Sequence, residues 1–270
     1  MYGSRVVTRS SHGNFDETCK AFNRLVPDST RRTLGVTGLF NTGTNLLSTL
    51  LVGNCKLPPR ALERMDRARA QVPWGKHNPI FFRGVNVARR SEGVPVDEVL
   101  PIVVVKDPYT WVKSMCNRMY ATKFTSPGEE CGLDRGIEVA FLPEAEGGTR
   151  AYDSLVALWD EWHDELVSVG REFPWIEIRY EDLLFREEEL VGQVCECVGG
   201  TLRADYRHVV GDAKGKGGGG RADSMRKYSD RAQREASWSA RDLRDFEDQL
   251  DWAAMDALGY RIAGSRQRKN

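Results

Sequence analysis

The stretch GLFNTGTNLL, residues 38–47, sets two glycines five positions apart, between a short β-rich run and the start of a helix. The β-rich run is TLGVTGLF, residues 33–40, and the helical signal is the apolar set at positions 46, 47, 50 and 51, ending at Gly53. Strand, glycine turn and helix in that order aim backbone N–H groups and the positive end of a helix dipole at an anion. The spacing of Gly38 and Gly43 is that of the G-x-x-x-x-G-K-[ST] phosphate loop, but Thr44 and Asn45 stand where the lysine and the hydroxyl residue would be. The loop keeps its backbone donors and adds neutral hydrogen-bonding side chains, without the lysine charge that serves a nucleoside triphosphate.

A second strand-to-helix unit lies in PIVVVKDPYTWVKSMCNRMY, residues 101–120. Its apolar, mostly β-branched run at 102–105 suits a strand buried on both faces, and Asp107 then Pro108 make an N-cap and a first helical residue. Lys106 falls at the carboxyl end of that strand, the edge at which α/β sheets bind ligands. Ser114 follows eight residues later, and the two can share an anion if the strand end and the helix bend together. A third strand is expected in WIEIRYEDLL, residues 175–184, ending at Tyr180, with Asp182 capping a helix that stops at Gly199-Gly200. An amphipathic helix from Tyr152 to Val169 turns Leu155, Val156, Trp159, Trp162 and Leu166 inward, and Ser239 to Asp242 form a capping box opening a helix through Leu258, with Gly259 as its stop.

The intervening segments are more irregular. Residues 58–72 read as a charged surface helix, followed by the loop PWGKHNP and a short strand, IFF. Residues 121–149, with Pro127, Gly128, Gly132, Pro143, Gly147 and Gly148, read as a loop-rich excursion over one sheet edge that shapes an acceptor pocket. AKGKGGGGR, residues 213–221, is too glycine-rich for regular structure. The alternation predicts one α/β domain, a three-layer α/β/α arrangement with a mainly parallel central sheet, over residues 31–262. An irregular leader, 1–30, precedes it and a polar tail, 263–270, follows.

Lysine plus arginine and aspartate plus glutamate number 39 each, for a formal net charge of zero, so nothing global points to nucleic acid. No stretch approaches the roughly 20 apolar residues of a membrane span, and MYGSRVVTRSSHGNF has no secretory apolar core. The six cysteines are far apart except Cys195 and Cys197, whose C-x-C spacing within a helix points them to different faces. Free thiols in a reducing compartment are the preferred expectation.

Taken together the two strand-to-helix units resemble the sulfotransferases that use 3′-phosphoadenosine 5′-phosphosulfate, PAPS. The turn Asn41-Thr42-Gly43-Thr44-Asn45 is similar to that family's S/T-G-T-[TN] loop around the 5′-phosphosulfate. V-V-V-K-D-P-Y-T-W-V-K-S looks like its V-R-D-P-x-x-W-x-x-S, in which a basic residue and a serine reach the 3′-phosphate; here they are Lys106 and Ser114. Tyr180-Glu181-Asp182 resembles a segment whose tyrosine lies near adenine, and Leu258-Gly259-Tyr260 is similar too. The resemblance spans residues 33–262 and implies a P-loop NTPase-like sulfotransferase fold, a single domain, PAPS as co-substrate and no metal.

Two departures stand out. The family's cation before the turn is Asn41 here, and its usual arginine is Lys106, which acts as a point charge without the bidentate fork. Lys76 in PWGKHNP is the candidate replacement cation, and His77 the candidate base for an acceptor hydroxyl. Glu138 and Glu144 are rival bases. Lys214, Lys216, Arg221, Arg226 and Lys227 are candidates to cover the 3′-phosphate. His163 is expected at a helix surface, and His12 and His208 fall in no constellation. The acceptor is expected to be a hydroxylated molecule, with carbohydrate the first choice, and the compartment is left between cytoplasm and Golgi lumen. The other enzymatic class is a P-loop kinase or NTPase, with Asp107 as its metal ligand. A third possibility is a non-catalytic nucleotide-binding relative.

Overall fold

The computed structural model describes residues 9–10, 14–84, 93–125, 131, 133, 135–141, 149–169, 173–210, 220–229 and 238–260. In chain order the first elements are β1 (Arg9–Ser10), α1 (Phe15–Leu25), β2 (Thr33–Thr37), α2 (Thr44–Asn54), β3 (Cys55–Lys56) and α3 (Pro59–Ala68). Then come β4 (Val99–Val105), α4 (Pro108–Asn117), β5 (Thr122–Phe124), β6 (Ile137–Ala140), β7 (Thr149–Tyr152) and α5 (Leu155–Val169). The last are β8 (Ile176–Arg179), α6 (Tyr180–Phe185), α7 (Glu187–Cys197), β9 (Thr201–Leu202), α8 (Arg221–Ser229) and two helices, Ala240–Gln249 and Trp252–Ala257.

The fold is mixed α/β. Its centre is a small sheet in the order β1-β8-β4-β2, in which β2, β4 and β8 run parallel and β1 pairs antiparallel with β8. Every residue of β4 is buried, and successive side chains alternate between two cores, as the two-residue period of a strand requires. Leu100, Ile102 and Val104 join Leu47, Leu50 and Leu51 of α2 and Leu190, Val191 and Val194 of α7. Val103 and Val105 join Trp111 and Met115 of α4 and Leu155, Trp159 and Trp162 of α5. Helices thus flank the sheet on both faces, and each fully buried leucine or valine contributes on the order of 1.5–3 kcal/mol.

Several local expectations change. Residues 15–25 form a helix started by Asn14, whose side chain accepts from the Glu17 N–H. IFF lies in a 3-10 turn, Ile80–Gly84, not a strand. The excursion contains a three-stranded antiparallel sheet, β5-β6-β7, so α5 begins at Leu155 and Tyr152 ends a strand. Residues 126–130 and 142–148, with Glu144, fall outside the described residues, as does His12. Asp182 does not cap a helix: it lies inside α6 and is held by Arg179. The C-terminal helix breaks at Leu250, and Asp251 caps a second helix. The Ser239–Asp242 capping box is present, and Gly259 ends the last helix at φ +70°.

The cysteines also differ from expectation. All six are paired, Cys19–Cys197, Cys55–Cys195 and Cys116–Cys131. Cys195 and Cys197 do face different ways from α7, and each meets an element distant in sequence. One reaches the chain just after α2 and the other reaches α1. Among the described residues no helix is long and apolar enough to cross a membrane.

Candidate functional site

The turn between β2 and α2 is held by close backbone approach. A Cβ on Gly38 would sit 2.4 Å from the Val104 carbonyl oxygen, and one on Gly43, at φ +99°, would sit 2.4 Å from the Tyr180 ring. Gly43 is the N-cap of α2 and offers no side-chain cap, so the first-turn N–H groups of that helix lack an intrahelical partner and point into the turn. Thr42 and Thr44 are buried, and Thr42 Oγ1 donates to the Leu39 carbonyl at 2.8 Å.

Asn41 adopts the left-handed conformation, φ +59°, which asparagine tolerates better than most residues. Its amide donates to the Arg118 carbonyl at 3.0 Å and approaches the Ser114 carbonyl at 3.3 Å. The side chain at the expected cation position therefore ties the turn to the end of α4.

Lys106 and Ser114 meet, as their spacing allowed. Lys106 Nζ donates to Ser114 Oγ at 2.8 Å and reaches the Asn41 carbonyl at 3.4 Å, and Ser114 Oγ donates to the Thr110 carbonyl at 2.8 Å. The ammonium also lies 5.1 Å from the centre of the Tyr180 ring and 5.8 Å from that of Tyr228, within cation–π range. Tyr180 and Tyr228 meet edge to face at 5.3 Å. Burial is the largest cause raising the Tyr228 phenol well above its ordinary range, followed by the Glu181 charge. Asp107 Oδ1 accepts from the Tyr109 N–H, so this buried carboxylate is committed to starting α4.

Lys76 and His77 come to the other end of the turn. The Gly38 N–H donates to the Lys76 carbonyl at 2.8 Å, as does Thr37 Oγ1 at 3.1 Å. Returning the strap, His77 Nδ1 lies 2.8 Å from the Gly38 carbonyl. A carbonyl only accepts, so Nδ1 carries the proton of that bond and Nε2 is left with a lone pair in the neutral ring. Lys76 Nζ donates to Asn45 Oδ1 in the first turn of α2. The loop is thus bent sharply enough to give both side chains a part in the same place.

Both residues line a cavity of about 1,080 Å³, with Phe40 and Tyr120 as aromatic walls and Ser48, Thr49, Gln71 and Asn78 as polar ones. Tyr120, Ala121 and Ala140 bring the excursion to its rim. Glu138, the rival base, instead pairs with Lys123 across β5 and β6 at 2.8 Å.

The supports behind the site were not legible as such. Trp159 Nε1 donates to the Lys106 carbonyl at 3.2 Å and Trp162 Nε1 to the His77 carbonyl at 3.4 Å. These α5 residues read as core from their period, and core they are, but their indole N–H groups also hold two site residues. Tyr260 Oη donates to the buried Glu181 carboxylate at 2.8 Å, and Arg179 Nη1 donates to the Gly259 carbonyl at 2.7 Å. Burial, with the Asp107 charge second, raises the Glu181 carboxyl above the usual range. His163 is buried against Trp159, not at a surface. His208 does belong to a cluster, with Glu187 and Arg221, so Arg221 is turned toward Glu187. Lys214 and Lys216 fall outside the described residues, while Arg226 and Lys227 lie on α8. No family model and no curated protein matches this sequence.

Proposed function

We propose that the chain is a PAPS-dependent sulfotransferase acting on a hydroxyl acceptor, with carbohydrate the first choice, and that its α/β core is the three-layer P-loop type. One observation carries the reading: two lysines meet the two ends of a single turn whose helix N-terminus has no side-chain cap. Lys106 reaches the Asn41 carbonyl and Ser114, and Lys76 reaches Asn45. A ligand with a 3′-phosphate and a 5′-phosphosulfate needs cations at two separated places, and the turn supplies N–H donors between them.

In this reading Lys106 and Ser114 take the 3′-phosphate, and the Tyr180 ring lies toward the base. The turn 41–45 takes the 5′ end through the N–H groups of Gly43, Thr44 and Asn45, with Asn41 fixing the turn from behind. The acceptor oxygen attacks sulfur as the bond from sulfur to the bridging oxygen breaks. His77 Nε2 receives the acceptor proton while Gly38 holds Nδ1. The electron pair of the broken bond leaves on the phosphate oxygen, where Lys76 and the N–H groups offset the charge. Lys76 thereby takes the part of the cation that the turn lacks at Asn41. The kinase alternative is disfavoured because Asp107 is already an N-cap.

The test is calorimetric titration with adenosine 3′,5′-bisphosphate, followed by assay with labelled PAPS and a panel of hydroxylated acceptors. Saturable, magnesium-independent binding and label transfer are expected. Absence of binding at any practical concentration overturns the reading, whereas binding without transfer over a broad panel favours a non-catalytic relative.

A further inference from the structure

The cavity beside His77 carries a cation that the sulfuryl transfer described above leaves unused. Arg69 ends α3 in the left-handed conformation, φ +52° and ψ +44°, and Ala70 follows at φ +48°. Helices that end this way ordinarily place glycine there, or asparagine, because a Cβ in that conformation costs ~1–2 kcal/mol. The backbone is firmly placed: the Arg69 N–H donates to the Asp66 carbonyl at 3.0 Å and the Ala70 N–H to the Met65 carbonyl at 2.8 Å. The Arg69 side chain lines the same cavity as Lys76 and His77. Among the described residues its guanidinium has no hydrogen-bond or ion-pair partner.

The charge balance of the cavity makes this informative. Lys76 is engaged by Asn45. Asp66 is the one carboxylate among the described lining residues; it makes no ion pair with Arg69, and partial burial raises it from its ordinary range. A strained position therefore places an arginine in the wall of the cavity that His77 lines, a cavity whose described lining does not include Lys106 or Ser114.

We propose that Arg69 determines acceptor specificity: the cavity takes a hydroxylated molecule bearing its own anionic group, a carboxylate or a sulfate, which the guanidinium engages while a hydroxyl faces His77. The proposal rests on the sulfotransferase reading. A planar fork suits either anion bidentately. The competing role for Arg69 is a favourable charge at the C-terminal end of α3, worth ~0.3–1 kcal/mol; that role would make the arginine stabilising and indifferent to the acceptor.

Substitution by glycine separates the two roles, since Arg69→Gly removes the cation and relieves the backbone strain together. The protein is saturated with adenosine 3′,5′-bisphosphate and titrated at low salt with three tetrasaccharides: neutral cellotetraose, carboxylated hyaluronan and sulfated, uronate-free keratan sulfate. One acidic probe is expected to bind at least about tenfold more tightly than the neutral one, and which of them does so identifies the anion. Arg69→Gly should erase that preference, Arg69→Lys should keep part of it, and the glycine variant should melt at or above the wild-type temperature with bisphosphate affinity unchanged. Equal binding of all three, no binding of any, or a preference that survives in Arg69→Gly overturns the proposal. A lower melting temperature with unchanged acidic binding does so as well, assigning Arg69 to the helix end. Failure of the wild type to bind the bisphosphate at all overturns the sulfotransferase reading instead.

Discussion

Lys106 is a buried ammonium that donates to the Ser114 hydroxyl and reaches the Asn41 carbonyl, both neutral groups that an anionic acceptor would outcompete. A hydrogen bond to a charged partner is worth about 1.5–3 kcal/mol. Lys106→Ala should therefore weaken adenosine 3′,5′-bisphosphate binding by roughly 10- to 100-fold, read by calorimetry, and unchanged affinity would remove its 3′-phosphate role. In the proposed reaction His77 belongs to a different step. His77→Gln should lower the rate constant for transfer by about 10²–10⁴-fold while leaving bisphosphate affinity within roughly threefold of wild type. An equal loss in both would make His77 a structural strap through its bond to Gly38.

Among the elements, β2, the turn and α2 form the most demanding unit, because the Tyr180 ring fills the space where any side chain at position 43 would go. Gly43→Ala combines that overlap with a positive φ, and should lower stability by about 1–3 kcal/mol, measured by denaturant unfolding. A variant as stable as wild type would mean that Tyr180 swings aside freely. This unit and the start of α4 were legible in the sequence because their determinants are local: glycine spacing and the apolar face of α2 for the one, Asp107-Pro108 for the other. The meeting of Lys106 and Ser114 was legible as a possibility, since eight residues cover one strand end and two helical turns. The partners of Asn41, the Tyr260–Glu181 bond and the Glu187–His208–Arg221 cluster were not legible. Each joins segments whose adjacency exists only once the sheet has formed, and a period or a cap carries no information about them. His163 shows the same limit, since its acidic neighbours in sequence suggested a surface while its ring packs against Trp159.

At the scale of the whole molecule, stability should depend on pH and on redox state. Burial pushes the Asp160 carboxyl up to about 7, against the Asp251 N–H bond that acts to lower it. A carboxyl with a raised folded-state pKa favours the fold fully below its unfolded value, and that contribution is lost as pH rises through about 7. Asp160→Asn keeps an oxygen to accept from Asp251, and should stabilise the protein at pH 8 by about 1–3 kcal/mol while doing little at pH 4. Thermal melts across that range would show it, and equal effects at both pH values would refute it. Reduction of the three bridges should cost on the order of 2–5 kcal/mol for a long closed loop, and thiol titration of the unfolded, unreduced chain should find no free cysteine. The Cys19–Cys197 bridge spans 178 residues of sequence, and that interval contains the turn 38–45, Lys76, His77, Lys106, Ser114 and Tyr180. If the oxidised molecule were drawn out between its ends, only the segments outside Cys19 and Cys197 would lengthen, ~90 residues or on the order of 300 Å of contour. The remaining contour would be released only after a reductant cut this bond together with the Cys55–Cys195 and Cys116–Cys131 bridges nested inside it. In mechanical terms the bridge makes that interval a closed ring carried by two extensible tails.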